Sequence, residues 1–142
     1  MFRRTVFALF AYSCLPVLAC PSEKFMSVAE EAHAAHSVVV GAASREEYSA
    51  EGPGHGWVDG TFYTIRVAET VLGQHSRTVR VFSENSSGRF PLEIGVTYLL
   101  FVSRCDGQLY IDAHGNSGPL PRQNDALREV RSLAPRKPKN AA

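Results

Sequence analysis

Cysteine is scarce in this sequence, and a long apolar run is lacking. Three cysteines occur among 142 residues, and none of them, alone or with a histidine, has the spacing of a structural zinc site. The chain is therefore neither a disulfide-rich scaffold nor a zinc finger. The apolar run at residues 5–18 is shorter than the ~20 residues that a membrane-spanning helix needs. With 44% hydrophobic residues, the chain can still form an apolar core.

An excess of one charge is also absent, since 15 basic and 14 acidic side chains give a formal net charge of +1 at pH 7. This balance gives the whole chain no electrostatic attraction to nucleic acid. The G-x-S-x-G motif of hydrolases is missing, and residues 51–56, EGPGHG, lack the lysine of a phosphate-binding loop. The five histidines have no third metal ligand at a fixed spacing, and His114 precedes a Gly-Asn pair typical of a sharp turn. We therefore predict a non-enzymatic protein that binds no nucleic acid, metal or cofactor.

The N-terminal residues have the pattern of a secretory signal peptide. Arg3 and Arg4 form a short basic region, the apolar run at 5–18 follows, and Ala19 supplies a small residue at the cleavage site. We predict that residues 1–19 form a signal peptide and that the mature protein is exported to the periplasm or the extracellular medium.

Two processing enzymes fit the bond after Ala19. Val17 and Ala19 suit an ordinary signal peptidase, while residues 17–20, VLAC, also resemble a loose lipobox in which Cys20 becomes lipid-modified. Without lipid, Cys20 and Cys105 are the two cysteines of the mature chain, and an exported protein with two cysteines is expected to form one disulfide. With lipid, Cys20 anchors the protein to a membrane and Cys105 remains a thiol.

The mature chain divides into an acidic body and a basic end. Residues 20–130 contain nine basic and fourteen acidic side chains, a net charge of −5. Four basic residues follow, and Pro135 and Pro138 prevent the helix before them from continuing. We predict a folded domain over 20–133 and a basic flexible tail over 134–142.

Hydrophobic patterning predicts five strands between two short helices. Ser27 and Glu30 have the spacing of a capping box, which predicts a helix from Val28, and apolar spacing predicts a second helix over 125–133. The expected strands are 38–40, 61–72, 78–82, 96–102 and 108–113. The run 96–102 is the most apolar of the mature chain and is expected to be buried on both faces. An Asp106-Gly107 turn is expected to join the last two strands.

Short strands separated by turn signals are typical of a small barrel or sandwich. The predicted fold is mainly β, a five-stranded Greek-key OB-fold barrel with a short N-terminal and a short C-terminal helix. Residues 45–60 are polar and interrupted by glycine and proline, so we expect a long mobile loop there. Its Tyr48, His55 and Trp57 are candidates for an adaptable contact surface.

Several short patterns occur in an order that resembles one known family. They are Cys20 at the mature N-terminus, AAHSVVVG at 34–41, YTIRV at 63–67, VLG at 71–73, GVTYLLF at 95–101 and HGNS at 114–117. Their order and spacing over roughly residues 20–120 resemble the N-terminal domain of tissue inhibitors of metalloproteinases, and more closely bacterial exported proteins with this netrin-like module. The resemblance implies an OB-fold barrel, in agreement with the strand count.

The family also implies a function for Cys20. In these inhibitors the free α-amine and carbonyl of the N-terminal cysteine chelate the catalytic zinc of the protease. The resemblance therefore implies a binding module whose partner is a protein, such as a protease, or an envelope component. Animal inhibitors have a second cysteine at the position of Ser22. In the family, disulfides join these two N-terminal cysteines to two later ones, whose positions correspond to residues near Ser87 and His114 of this chain.

The alternative function follows from lipid on the same residue. A lipidated Cys20 has an acylated amine, which has lost the lone pair that chelation needs. The protein is then a lipid-anchored envelope protein with a structural or assembly role, and it contacts a membrane only in this case.

Overall fold

A computed structural model describes residues 25–50, 58–85 and 88–134. The predicted signal peptide, Cys20 and most of the predicted basic tail lie outside these ranges. No helix within the described ranges is long and apolar enough to cross a membrane.

The described residues form two helices and six strands. Helix α1 is Val28–Ala34 and helix α2 is Asn124–Leu133, preceded by a 3-10 turn at Leu120–Arg122. The strands are β1 Ser37–Ala50, β2 Val58–Leu72, β3 Thr78–Glu84, β4 Thr97–Cys105, β5 Gln108–Ile111 and β6 Gly118–Pro119. The prediction of a mainly β protein with one N-terminal and one C-terminal helix is confirmed. The predicted number of strands is one too few, because the two-residue β6 is too short to show an alternating pattern.

All six strands belong to one sheet in the order β1-β2-β3-β5-β4-β6. β1 is antiparallel to β2 along its length, and its first six residues also pair with β4. β3 meets β5 in parallel at Phe82 and Tyr110, and β5 and β6 both pair antiparallel with β4. β4 is thus the strand with the most neighbours in the sheet.

Side chains at alternate positions of β4 face two different apolar clusters. Tyr98, Leu100 and Val102 contribute to an inner core between the strands, whereas Leu99 and Phe101 face the helices. These five residues are at most 4% exposed, and complete burial of such a side chain stabilises a fold by about 1.5–3 kcal/mol. The predicted strand buried on both faces is therefore confirmed.

Both helices lie on the outer face of the sheet. α1 begins at the predicted capping box, in which the Ser27 Oγ accepts from the Glu30 N–H and the Glu30 carboxylate accepts from the Ser27 N–H. α2 buries Ala126, Leu127 and Val130 in the helix-side core. An ion pair from Arg131 Nη2 to Glu69 Oε2, 2.6 Å long, also links α2 to β2.

The expectation of a long loop over 45–60 is wrong for 45–50 and 58–60, which belong to β1 and β2. Polar residues dominate 45–49 because this part of β1 is exposed or half-buried, and its charges pair across the sheet, as in the 3.0 Å contact of Arg80 Nη2 with Glu47 Oε2. Gly60 is a strand residue, and a Cβ there would come within 2.5 Å of the Ser83 carbonyl oxygen. It therefore allows a close approach of two strands rather than marking a turn.

Candidate functional site

Cys105 is the last residue of β4 and precedes the predicted tight turn. Asp106 has φ +48° and Gly107 has φ +79°, the left-handed values that a two-residue hairpin needs. Cys105 is disulfide-bonded. The other cysteines of the chain, Cys14 and Cys20, lie outside the described residues, so the pairing of Cys105 with Cys20 stays a prediction.

Three nitrogen-bearing side chains lie next to this end of β4. His36 Nε2 is 3.3 Å from Arg104 Nη2, and the rings of His36 and His75 meet edge to face with centroids 5.5 Å apart. His75 Nε2 is buried and forms no hydrogen bond within the described part of the chain. Burial lowers the pKa of His75 from its ordinary value of 6.5, and the positive charges of His36 and Arg104 lower it further.

The stability of the fold is expected to depend on pH through His75. Because its pKa is lower in the folded state, the folded protein binds fewer protons than the unfolded chain below about pH 6.5. Stability is therefore fully present above pH 6.5 and declines as the pH falls towards the folded pKa. Urea unfolding between pH 5 and pH 7.5 should show a shallower decline for His75→Gln than for the wild type. Equal slopes for the two proteins would contradict this assignment.

A second cluster connects the start of α1 to the turn after β5. The Glu31 Oε2 atom accepts from the Asn116 backbone N–H at 2.5 Å and from Asn116 Nδ2 at 2.7 Å. The same Nδ2 donates to the Met26 carbonyl oxygen at 2.9 Å. We name Met26, Glu31 and Asn116 the Asn116 clamp. The clamp joins Glu31 and Met26 to the turn after β5, through contacts between residues that are 85 and 90 positions apart in sequence.

The carboxylate of the clamp is in an unfavourable electrostatic environment. Glu31 is 3% exposed, and burial raises its pKa from the ordinary 4.5. The hydrogen bonds from Asn116 oppose this increase, and the negative charge of Asp112 adds to it. Gly115 leaves room for the carboxylate, since a Cβ at this position would overlap with Glu31 Oε1. The clamp therefore depends on a close backbone approach as well as on hydrogen bonds.

His114 lies in the predicted turn, beside the clamp. The Asp112 Oδ1 atom accepts from the His114 backbone N–H at 2.8 Å, and Gly115 N–H donates to the Asp112 carbonyl at 3.3 Å. The His114 ring meets Phe25 edge to face at 6.1 Å. The sequence predicted this turn but did not indicate the role of Glu31. The one hint of that role in the sequence is a carboxylate next to apolar positions of α1.

The outer face of β1, β2 and β3 has aromatic rings and charges in contact. The rings of Phe62 and Phe82 lie 4.9 Å apart, and the guanidinium of Arg80 lies 3.7 Å from the centroid of Phe62. Glu47 pairs with both Arg80 and Arg45, at 3.0 and 2.7 Å. The charged side chains of Arg45, Glu47 and Arg80 therefore already form ion pairs with one another.

Only one residue of the predicted contact surface can be located. Tyr48 is on β1, 68% exposed, and its hydroxyl donates to Glu46 Oε1 at 3.5 Å. His55 and Trp57 lie outside the described residues. The prediction that these three residues form one surface stays a prediction.

A scan of protein-family models and a search of curated proteins both found no match for this chain. Within 25–50, 58–85 and 88–134, no three His, Cys, Asp or Glu side chains come together as metal ligands. The two features that remain are the disulfide at the end of β4 and the Asn116 clamp. Of these, the clamp contacts the N-terminal part of the described chain, at Met26 and Glu31.

Proposed function

We propose that this chain is an exported, non-enzymatic binding module that resembles metalloproteinase inhibitors. In this proposal, cleavage after Ala19 makes Cys20 the first residue, and Cys20 is bonded to Cys105. The disulfide-bonded state of Cys105 is the observation that carries the proposal. Cleavage removes Cys14 with the leader, which leaves Cys20 as the remaining partner in the mature chain.

The strand pairings support the finer part of the fold assignment. Since β1 pairs with both β2 and β4, the pairings β1-β2-β3-β5-β4 return to β1. Such a cycle of five strands is what a closed OB-fold barrel requires. We therefore propose that the first five strands form a Greek-key OB-fold, with β6 and the two helices added outside it.

The disulfide favours a free N-terminal amine over a lipid anchor. The lipid of a bacterial lipoprotein is attached to the cysteine sulfur through a thioether, and a sulfur in a disulfide has no valence left for it. A Cys20 bonded to Cys105 therefore keeps an α-amine that no lipidation has acylated. The lipid-anchored envelope protein remains the competing proposal, and it requires Cys105 to lack Cys20 as a partner.

The chemistry of chelation fits an N-terminal cysteine held in this way. An α-amine has a pKa near 7.7–8.0, so a sizeable fraction is neutral and able to bind zinc at physiological pH. A disulfide to β4 restricts the N-terminus before binding, which reduces the conformational entropy lost in the complex. The amine and carbonyl of Cys20 would then replace the water on the zinc of a target protease.

The test is inhibition of a zinc endopeptidase by the protein recovered from the exported fraction. We expect an intact mass for residues 20–142 with two hydrogens fewer than the reduced chain, and inhibition of at least one enzyme in a panel of zinc endopeptidases. A variant with one alanine inserted before Cys20 should keep the disulfide and lose inhibition, because its amine is displaced. A serine protease should be unaffected.

Three results would count against this function. A diacylglyceryl group on Cys20 would replace it with the lipid-anchored alternative. An unmodified Cys20 amine without inhibition of any zinc enzyme, or inhibition that survives the inserted alanine, would eliminate chelation as the mechanism.

A further inference from the structure

We propose that Asn116 is a positioning residue for the N-terminal segment, and that it sets the direction in which the chain leaves α1 towards Cys20. The part of this inference that concerns Cys20 rests on the proposed function. The part that concerns the path of the chain at Met26 rests on described contacts alone.

The three N–H groups of Asn116 are all used at the clamp. Its backbone N–H and one amide hydrogen go to Glu31 Oε2, at 2.5 and 2.7 Å, and the amide nitrogen also donates to the Met26 carbonyl at 2.9 Å. Met26 O and Glu31 Oε2 are both acceptors, so a reversed amide would place Oδ1 against two oxygens. The chemistry of the neighbours thus fixes the orientation of the Asn116 side chain.

Met26 is the position where this contact has the greatest effect on the direction of the chain. The next residue, Ser27, is the N-cap of α1, so the Met26–Ser27 peptide joins the helix to the N-terminal segment. Fixing the carbonyl of this peptide fixes its plane, which would restrict the directions in which the preceding residues can leave the helix. The ring of Phe25, the residue before Met26, meets the His114 ring edge to face, so this part of the chain lies beside the turn after β5.

The clamp also limits the freedom of the proposed zinc-binding group. Six peptide units separate Cys20 from Met26, which allows a reach of up to about 20 Å at 3.3–3.6 Å per residue. A segment held only by the disulfide at one end samples many directions at the other. With Met26 held by Asn116, and with Cys20 bonded to Cys105 as proposed above, both ends of the segment would be restrained.

The variant that isolates this role is Asn116→Asp. The aspartate has nearly the same shape and keeps the backbone N–H bond to Glu31, but it replaces the amide donor with an oxygen that faces Met26 O and the Glu31 carboxylate. Asn124→Asp is the matched control, because Asn124 is exposed on α2 and its amide donates to Pro121 O at 3.5 Å, away from the clamp.

The primary measurement is tryptic cleavage of the mature, oxidised protein between Lys24 and Phe25. After reduction, cleavage releases the peptide of residues 20–24, and mass spectrometry measures its rate of appearance. We expect Asn116→Asp to be cleaved about tenfold faster or more, since one lost hydrogen bond corresponds to roughly this factor. Asn124→Asp should be cleaved at the wild-type rate. If Asn116→Asp does not fold, Asn116→Ala gives the same reading without the added charge.

Inhibition of the zinc endopeptidase that the wild type inhibits most strongly is the second measurement. We expect its inhibition constant to rise about tenfold for Asn116→Asp. Faster cleavage with a wild type that inhibits nothing would refute the proposed function and support the positioning of the segment. Unchanged cleavage in both Asn116 variants would overturn the inference, whatever the inhibition shows. A changed inhibition constant with unchanged cleavage would also overturn it.

Discussion

Cys105→Ser is expected to lower the free energy of unfolding by about 2–5 kcal/mol. The proposed partner, Cys20, is far away in sequence, so the bridge closes a loop that covers most of the folded domain. Loss of the bridge releases this loop in the unfolded chain and raises the entropy of the unfolded state. Urea unfolding of wild type and variant under non-reducing conditions measures the difference.

Two controls separate the bridge from the side chain itself. Reduction of the wild type should cause a loss of similar size, and reduction should then have no further effect on Cys105→Ser. Cys20→Ser should reproduce the loss, whereas Ser103→Ala, on the same strand, should change stability little. A stable Cys20→Ser protein with an unstable Cys105→Ser protein would show that the partner of Cys105 is not Cys20.

Glu31→Ala is expected to destabilise the domain by about 2–4 kcal/mol. Glu31 Oε2 is the acceptor for two donors of Asn116, and removal of a buried partner leaves donors with the full cost of lost solvation. The relief of a buried negative charge offsets part of this cost, because burial already disfavours the carboxylate. Urea unfolding at neutral pH measures the effect.

Glu31→Gln separates the charge from the hydrogen bonds. Its amide oxygen still accepts from Asn116, so we expect stability equal to or above that of the wild type at neutral pH. The raised pKa of Glu31 means that the folded state binds more protons than the unfolded chain. The stability of the wild type should therefore be closest to that of Glu31→Gln below about pH 4.5 and should fall below it as the pH rises through the folded pKa.

Glu129→Ala on the exposed side of α2 is the matched control for both substitutions and should stay within about 0.5 kcal/mol of the wild type. A Glu31→Ala protein as stable as Glu129→Ala would show that the clamp contributes nothing to the fold. A Glu31→Gln protein as unstable as Glu31→Ala would show that the negative charge, rather than acceptance of hydrogen bonds, is what the site needs.

The sequence was informative wherever burial alternates with exposure along a strand. In β3 the buried residues Val79, Val81 and Ser83 alternate with more exposed neighbours, and in β2 Tyr63 and Ile65 face inwards as their pattern indicates. The capping box of α1 and the turn at Asp106-Gly107 were equally readable, since each is fixed by residues within a few positions of one another.

Contacts between distant residues were not readable in this way. Nothing in the composition of α1 indicates that Glu31 meets Asn116, because the contact exists only once the sheet has brought the turn after β5 to the helix. The second half of β1 was missed for a related reason. Its polar side chains pair across strands, as Glu47 does with Arg80, and a single sequence gives such a strand the composition of a loop.

The position of Cys105 at the end of β4 has a mechanical consequence. A pull applied through this disulfide enters the sheet along β4, which is paired with β1, β5 and β6. A force directed along β4 would load the hydrogen bonds of these pairs together, as shear. With Cys20 as the proposed partner of Cys105, a force on the N-terminus would reach the sheet through the strand that has the most paired neighbours.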